Sequence, residues 1–150
     1  KGADVIAMHQ DSTAAGEKAE AAGAKWVSYN SNMSAFAPYA YLTAPVWNWG
    51  PRYVEIIEAA DTGTYTPSSY WGNMADGVVD LAPIAADVDS GVKDRVLAAK
   101  KAIIAGDLHP FSGPIRDQDG NVVLGAGETM DDGSMLSMDF FVEGVVGSAG

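Results

Sequence analysis

The chain has 150 residues, 47% apolar and 19% charged, which suits one folded domain with a buried core. Twenty acidic against nine basic residues give a formal net charge of -11, which disfavours nucleic-acid phosphates and anionic lipid surfaces as partners. The absence of cysteine removes disulfides, thiolate catalysis and cysteine-based zinc sites, and no apolar run approaches the roughly 20 residues of a membrane span.

The sequence opens at Lys1-Gly2-Ala3-Asp4 and runs straight into a strand-like Val5-Ile6-Ala7-Met8, as though entered mid-fold. The apolar run 4–8 ends in His9-Gln10-Asp11, and a helix pattern starts at Ser12. Asp11 or Ser12 is expected to cap that helix and Gly23 to end it. Its apolar positions Ala14, Ala15, Ala19 and Ala22 are all small, so the helix can lie close to a sheet. A second strand, Lys25 to Tyr29, ends in the polar cluster Asn30-Ser31-Asn32. A third, Tyr41 to Ala44, runs on into Pro45-Val46-Trp47-Asn48-Trp49-Gly50. Strand, helix and strand at this spacing form a βαβ unit, which implies a parallel sheet.

Pro51 suits the first turn of a further helix that carries Tyr53, Val54, Ile57 and Ala60 and stops near Gly63. Gly77 to Ala82 reads as another strand. Ser90 is expected to cap a helix through Val92, Val96, Ala99 and Ile103, with Gly106 at its end. Lys100 and Lys101 fall in its last turns, where the helix dipole favours cations. The tail differs in kind. Pro114-Ile115-Arg116 and Asn121-Val122-Val123-Leu124 flank an Asp119-Gly120 turn and read as a hairpin. A helical turn over 132–138 and a strand-like Phe140-Phe141-Val142 follow.

In an open parallel sheet, ligands bind beyond the carboxyl ends of the strands. Here those ends carry His9-Gln10-Asp11-Ser12, Asn30-Ser31-Asn32 and Trp47-Asn48-Trp49. Amides and a carboxylate can read the donor and acceptor edge of a neutral ligand, and tryptophan offers a face to stack on. Taken singly, these residues read as caps, turns and core. Taken as three ends of one sheet, they read equally as a binding edge.

Other chemistries find little support. His9 and His109 are the only histidines, and no Gly-x-Ser-x-Gly elbow exists to carry a hydrolase nucleophile. Asp117, Asp119, Asn121 and Glu128 occupy positions one, three, five and twelve of a calcium-loop pattern. Val122 stands at position six, where that loop needs glycine, so the segment reads as a hairpin turn. No glycine-rich phosphate loop is present. Neither a metal nor a cofactor is expected.

The chain resembles the basic membrane protein family of substrate-binding proteins, which serve ABC importers and include purine nucleoside receptors. The resemblance is carried by Ala3-Asp4-Val5-Ile6 with His9-Gln10-Asp11-Ser12, and by Leu42-Thr43-Ala44 with Asn48-Trp49-Gly50-Pro51. It continues through Trp71-Gly72, Asp76-Gly77-Val78-Val79, Ala105-Gly106 and the run His109 to Ile115. Met138 and Val142-Glu143-Gly144-Val145 complete it.

That resemblance implies an α/β fold of the periplasmic-binding-protein type I kind, a lobe with a parallel sheet flanked by helices, plus the C-terminal hairpin. Residues 1–150 would be the C-terminal part of a two-lobed protein, mostly its second lobe, with the helix around 51–62 packed on the first. The first lobe, a signal peptide and any lipid-anchoring cysteine would lie upstream of Lys1. It further implies a non-enzymatic transport lipoprotein, periplasmic or extracytoplasmic, whose partners are a small-molecule ligand and a transporter permease.

Nucleoside-binding members resembling this chain tend to carry Asp in the motif aligned with Asn30-Ser31-Asn32, and Lys where Trp47 stands. Losing both charges favours a flat, less hydroxylated ligand such as a purine base. His9, Gln10, Asp11, Asn30, Asn32, Trp47 and Asp76 are the expected ligand-binding residues. Gln10 and Asn32 would read the ligand edge, Asp11 would accept from a ring N–H, and Trp47 would form a stacking wall. A nucleoside receptor of the same family, a nucleobase- or nucleoside-processing enzyme on the same scaffold, and a sensory module are the alternatives.

Overall fold

Three short apolar strands separated by turn residues and one helix build the first sheet. The structure, a computed structural model, describes residues 2–147. It divides into two units, 1–104 and 105–150. In the first, β1 (Val5–Ala7), β2 (Lys25–Val27) and β3 (Tyr41–Thr43) pair in parallel in the order β1-β2-β3. α1 (Ala14–Ala21) makes the crossover that parallel neighbours require.

The expected βαβ unit is therefore present, but α1 begins differently. Thr13 holds the N-cap position with no side-chain cap, and the Ala14 N–H donates to Ser12 Oγ at 3.2 Å. Asp11 does not cap; it is engaged by Asn30 instead. Ala14 and Ala22 are exposed, and the buried positions are Gly16 and Ala19. Gly16 faces the ring of Trp26, and that contact sets which side of the helix turns inward. Trp26 is fully buried among Ala19, Ala37, Ala40, Tyr41, Ala44 and Ala82. One large ring among small side chains fills the core and lets the helix approach the sheet closely.

The run from Tyr41 to Trp47 is not one strand. At the buried Ala44 the chain leaves the first sheet, and β4 (Pro45–Trp47) pairs antiparallel with β5 (Val79–Leu81). Proline lacks an N–H and stands at the first residue of a strand without breaking a ladder. Ala44 still accepts from the Ala82 N–H at 2.8 Å, and Thr43 Oγ1 donates to the Ala82 carbonyl at 2.8 Å. A single parallel bridge joins Asn30 to Val46, so the end of β2 lies beside β4.

α2 (Gly50–Asp61) starts with Pro51 in its first turn, as expected. Arg52, Ile56 and Ala59 are its half-buried positions, whereas Tyr53, Val54, Ile57 and Ala60 are exposed. α3 (Ser90–Ala105) is capped one residue earlier than expected, the Val92 N–H donating to Asp89 Oδ1 at 3.2 Å. Its last turn holds no cation. Lys100 instead pairs with Asp80 on β5 and holds that carboxyl below the usual range.

In the second unit, β6 (Ile115–Arg116) and β7 (Val122–Leu124) form the expected antiparallel hairpin. Asp117 accepts from the N–H groups of Asp119 and Asn121, each at 2.9 Å, and from Asn121 Nδ2. Its carboxylate thus closes the turn. Gly120 takes φ +84, the left-handed conformation this turn requires. α4 (Asp132–Leu136) is capped by Asp131, which accepts from the Ser134 N–H at 2.8 Å. Phe140 to Val142 is not a strand; Val142 makes one bridge, to Asp117. Among the described residues no helix is long and apolar enough to cross a membrane.

Candidate functional site

β1, β2 and β4 end on the same side of the first unit, and residues just beyond β1 and β2 meet the end of β4. Asn30 takes φ +64, a left-handed conformation that asparagine tolerates better than most residues. From there its amide spans two neighbours. Nδ2 donates to Asp11 Oδ1 at 2.5 Å, and Oδ1 accepts from the indole N–H of Trp47. One side chain thus ties the ends of β1 and β4 together. Beside it, His9 Nε2 hydrogen-bonds the Tyr29 hydroxyl at 2.9 Å, the rings meeting edge-on at 4.4 Å.

An aromatic ladder continues from Trp47. Trp47 and Trp49 are stacked with ring centres 6.3 Å apart, and Trp49 stacks on Tyr53 at 6.4 Å. Tyr70 meets Trp49 edge-on at 6.3 Å, and the Arg52 guanidinium lies 4.6 Å above the Tyr70 ring. Trp47 and Trp49 are 42% and 40% exposed, and Trp47, which stacks on Trp49 alone among the described residues, is the end of the ladder able to take a further ring.

The expected residues separate into two groups. Asp11, Asn30 and Trp47 form one hydrogen-bonded cluster, with His9 and the exposed Gln10 on the same segment as Asp11. Asn32 and Asp76 are not joined to it by hydrogen bonds. Asn32 Oδ1 accepts from the Ser34 N–H at 3.0 Å in a turn and lines a shallow depression with Tyr41, Pro83 and Asp87. Asp76 accepts from the Asn73 N–H at 2.9 Å and closes its own turn. Next to that turn, Asn48 Nδ2 donates to the Gly77 carbonyl at 3.4 Å.

Tyr29, Arg52 and Tyr70 are site neighbours that the sequence did not single out. Trp49 and Tyr53 lie four apart, a spacing that stacks rings along one helix face and was a usable signal. Tyr70 lies in a segment without periodicity, and nothing in the sequence marks it. The carboxyls held below their usual range are elsewhere. Lys100 lowers Asp80, Lys25 lowers Asp87, the Asn121 side chain lowers Asp117 and the Ser134 N–H lowers Asp131. Each has a structural partner. The strand-end cluster offers acceptors, donors and open ring faces, which is the chemistry of noncovalent binding. Among the described residues no group of acidic or histidine side chains is arranged to hold a metal.

The α/β fold is shared with part of two solved structures. It matches a solute-binding protein of an ABC transporter system from Conexibacter woesei with a TM-score of 0.55 at 20% identity, over 72% of this chain and 37% of that one. A transcriptional activator of the comK gene from Bacillus halodurans matches with a TM-score of 0.62 at 20% identity, over 71% and 38%. At that identity both likenesses concern the fold alone. The chain belongs to the Bmp family, whose model, ABC transporter substrate-binding protein PnrA-like, matches residues 1–106.

A purine-binding protein of Brucella abortus is 41% identical over 145 residues, which cover 97% of this chain and 41% of that protein. A putative ABC transporter glucose-binding protein of Haloferax volcanii is 34% identical over 147 residues, covering 98% and 35%. The chain therefore spans well under half the length of both relatives. The family expected from the sequence is the family found.

Proposed function

We propose that this chain is part of the solute receptor of an ABC importer, and that the ligand is a purine base or a related flat heterocycle. The observation that carries the reading is the Asp11–Asn30–Trp47 cluster at the strand ends, set beside open aromatic faces. A two-ring base stacks on Trp47 and donates a ring N–H to Asp11, with Gln10 and His9 within the same segment. The purine-binding relative, at 41% identity, supports this class.

The remainder of the protein supplies a second lobe, and closure of the two lobes on the ligand is the state a permease reads. The receptor works outside the cytoplasmic membrane, tethered by a lipid anchor on the longer protein. No bond is made or broken in the ligand. α2 packs its exposed Tyr53, Val54 and Ile57 against that second lobe.

The Asn30-Ser31-Asn32 motif and Trp47 offer amides and a ring where nucleoside receptors resembling this chain tend to carry charges. A site without groups for ribose leaves the sugar hydroxyls unpaired on burial, which costs affinity. Calorimetric titration of the full-length protein with adenine, adenosine and glucose tests the reading. Adenine binding more tightly than adenosine, with glucose inert, is expected. Tighter binding of adenosine would return the site to the nucleoside class, and binding of glucose alone would overturn the heterocycle.

A further inference from the structure

The hydrogen bonds joining Trp47, Asn30 and Asp11 can run in only one direction. An indole N–H donates and has nothing to accept with. It therefore fixes the Asn30 atom facing Trp47 as the oxygen, Oδ1. The amide nitrogen then faces the other way, where Nδ2 donates to Asp11 Oδ1 at 2.5 Å. A carboxylate offers only acceptors, so both neighbours demand the same amide orientation. The backbone leaves Asn30 little freedom either, because φ +64 and the bridge to Val46 set the direction in which its side chain leaves the chain.

From this we infer that Asn30 is a positioning residue, not a ligand contact: it fixes the Trp47 indole and holds Asp11 through Oδ1, leaving Oδ2 to accept from the ligand. Its oxygen and one of its two N–H groups are already used inside the protein. Asp11 Oδ2 has no hydrogen bond among the described residues. That oxygen is the group a ligand has to meet, and it can be met only by a donor. The inference rests on the reading of Asp11 and Trp47 as ligand contacts, and it changes the role expected for Asn30.

The consequence is a rule of selection. A ligand that brings an N–H to Asp11 is accepted. One that brings an acceptor or a methyl group buries the carboxylate unpaired and loses affinity, which is how polar sites reject near-isosteres. Selection then depends on Asn30, although Asn30 does not touch the ligand.

Two variants of the full-length protein separate the parts. Asn30→Gly keeps a backbone that tolerates φ +64 and removes both hydrogen bonds. Asn30→Asp keeps an acceptor for Trp47 but sets a second carboxylate against Asp11 and pushes it aside. The first readout is the indole N–H resonance of Trp47 in the ligand-free protein, with its rate of solvent exchange. Asn30→Gly is expected to shift that resonance and speed exchange, whereas Asn30→Asp leaves it hydrogen-bonded.

The second readout is calorimetry with xanthine and with caffeine, which keeps the flat two-ring face but has every ring N–H methylated. The unmutated protein should prefer xanthine. Asn30→Asp should lower xanthine affinity roughly ten- to hundredfold, the size of a lost charged hydrogen bond, and leave caffeine nearly unchanged. A purely steric rejection of caffeine would survive that substitution. An unmoved Trp47 resonance in Asn30→Gly, or an intact preference for xanthine in Asn30→Asp, overturns the inference. If neither purine binds the unmutated protein, the ligand class above is wrong, and the indole resonance alone decides the role of Asn30.

Discussion

Gly16 on α1 faces Trp26 on β2 so closely that a Cβ added at Gly16 would lie 2.1 Å from the ring carbon Cε3. Trp26 is fully buried, so its ring has no room to retreat. The helix seats on the sheet only because position 16 has no side chain. α1 links β1 to β2, and beyond the ends of these paired strands Asp11 and Asn30 come together.

Gly16→Ala is therefore expected to destabilise the protein, against the helix preference that favours alanine by about 1 kcal/mol. Overpacking costs typically run to about 1–3 kcal/mol, and a 2.1 Å contact lies at the severe end of that range. Urea unfolding should show a lower midpoint with an unchanged slope. An unchanged or raised midpoint would mean that α1 can lift off Trp26 without cost.

Trp47→Ala removes the open stacking face nearest the strand ends. Stacking of a base on an aromatic side chain is worth about 1–3 kcal/mol, so adenine affinity in the full-length protein should fall roughly tenfold or more. Trp47 is 42% exposed, so thermal stability should change far less than affinity. Calorimetry showing unchanged affinity would remove Trp47 from the site.

Among the described residues four carboxyls sit below their ordinary value of 3.8: Asp80, Asp87, Asp117 and Asp131. At pH below that ordinary value the unfolded chain takes up protons that the folded chain resists. Stability is thus fully present above about pH 4 and is lost as pH falls through the depressed values. The partners are mostly exposed, so each contribution is small, and Lys100→Ala should cost under about 1 kcal/mol at neutral pH. Unfolding followed from pH 7 to pH 2 should stay flat and then decline below about 4. A maximum near pH 3 would contradict the assignment of these shifts.

The outer face of α2 carries Tyr53, Val54 and Ile57 at 58%, 53% and 66% exposure. Covering a large apolar side chain is worth about 1.5–3 kcal/mol, so three together amount to a serious fraction of a domain's stability. Residues 1–150 produced alone should self-associate through this face, and Ile57→Lys should reduce the association. A monomer by light scattering at high concentration would argue against α2 as a packing surface.

The βαβ unit was legible because apolar runs and turn residues alternate cleanly through 4–29, with Gly23 at φ +71 ending the helix where expected. The change of sheet at Ala44 was not, since Tyr41 to Trp47 is one continuous run and periodicity cannot show which partner a strand takes. The cap of α3 was misplaced by one residue because Asp89 and Ser90 are both good capping types. In the site, the strand ends that supply Asp11, Asn30 and Trp47 could be read from the sequence. Their joining could not: Asn30 reaches Asp11 and Trp47 across 19 and 17 residues, and only the fold closes those distances. Asn32 and Asp76 looked alike as polar residues near strand ends, yet the backbone nearby uses their side-chain oxygens.

The central claim, that the strand-end cluster holds a flat heterocycle bearing an N–H donor, is tested most directly by mass spectrometry. Small molecules released from the purified full-length protein would be identified and compared with those from an Asp11→Ala, Trp47→Ala double variant. A purine base or a close relative is expected from the unmutated protein, and its loss from the variant. A sugar, or a nucleoside retained equally by both proteins, would contradict it.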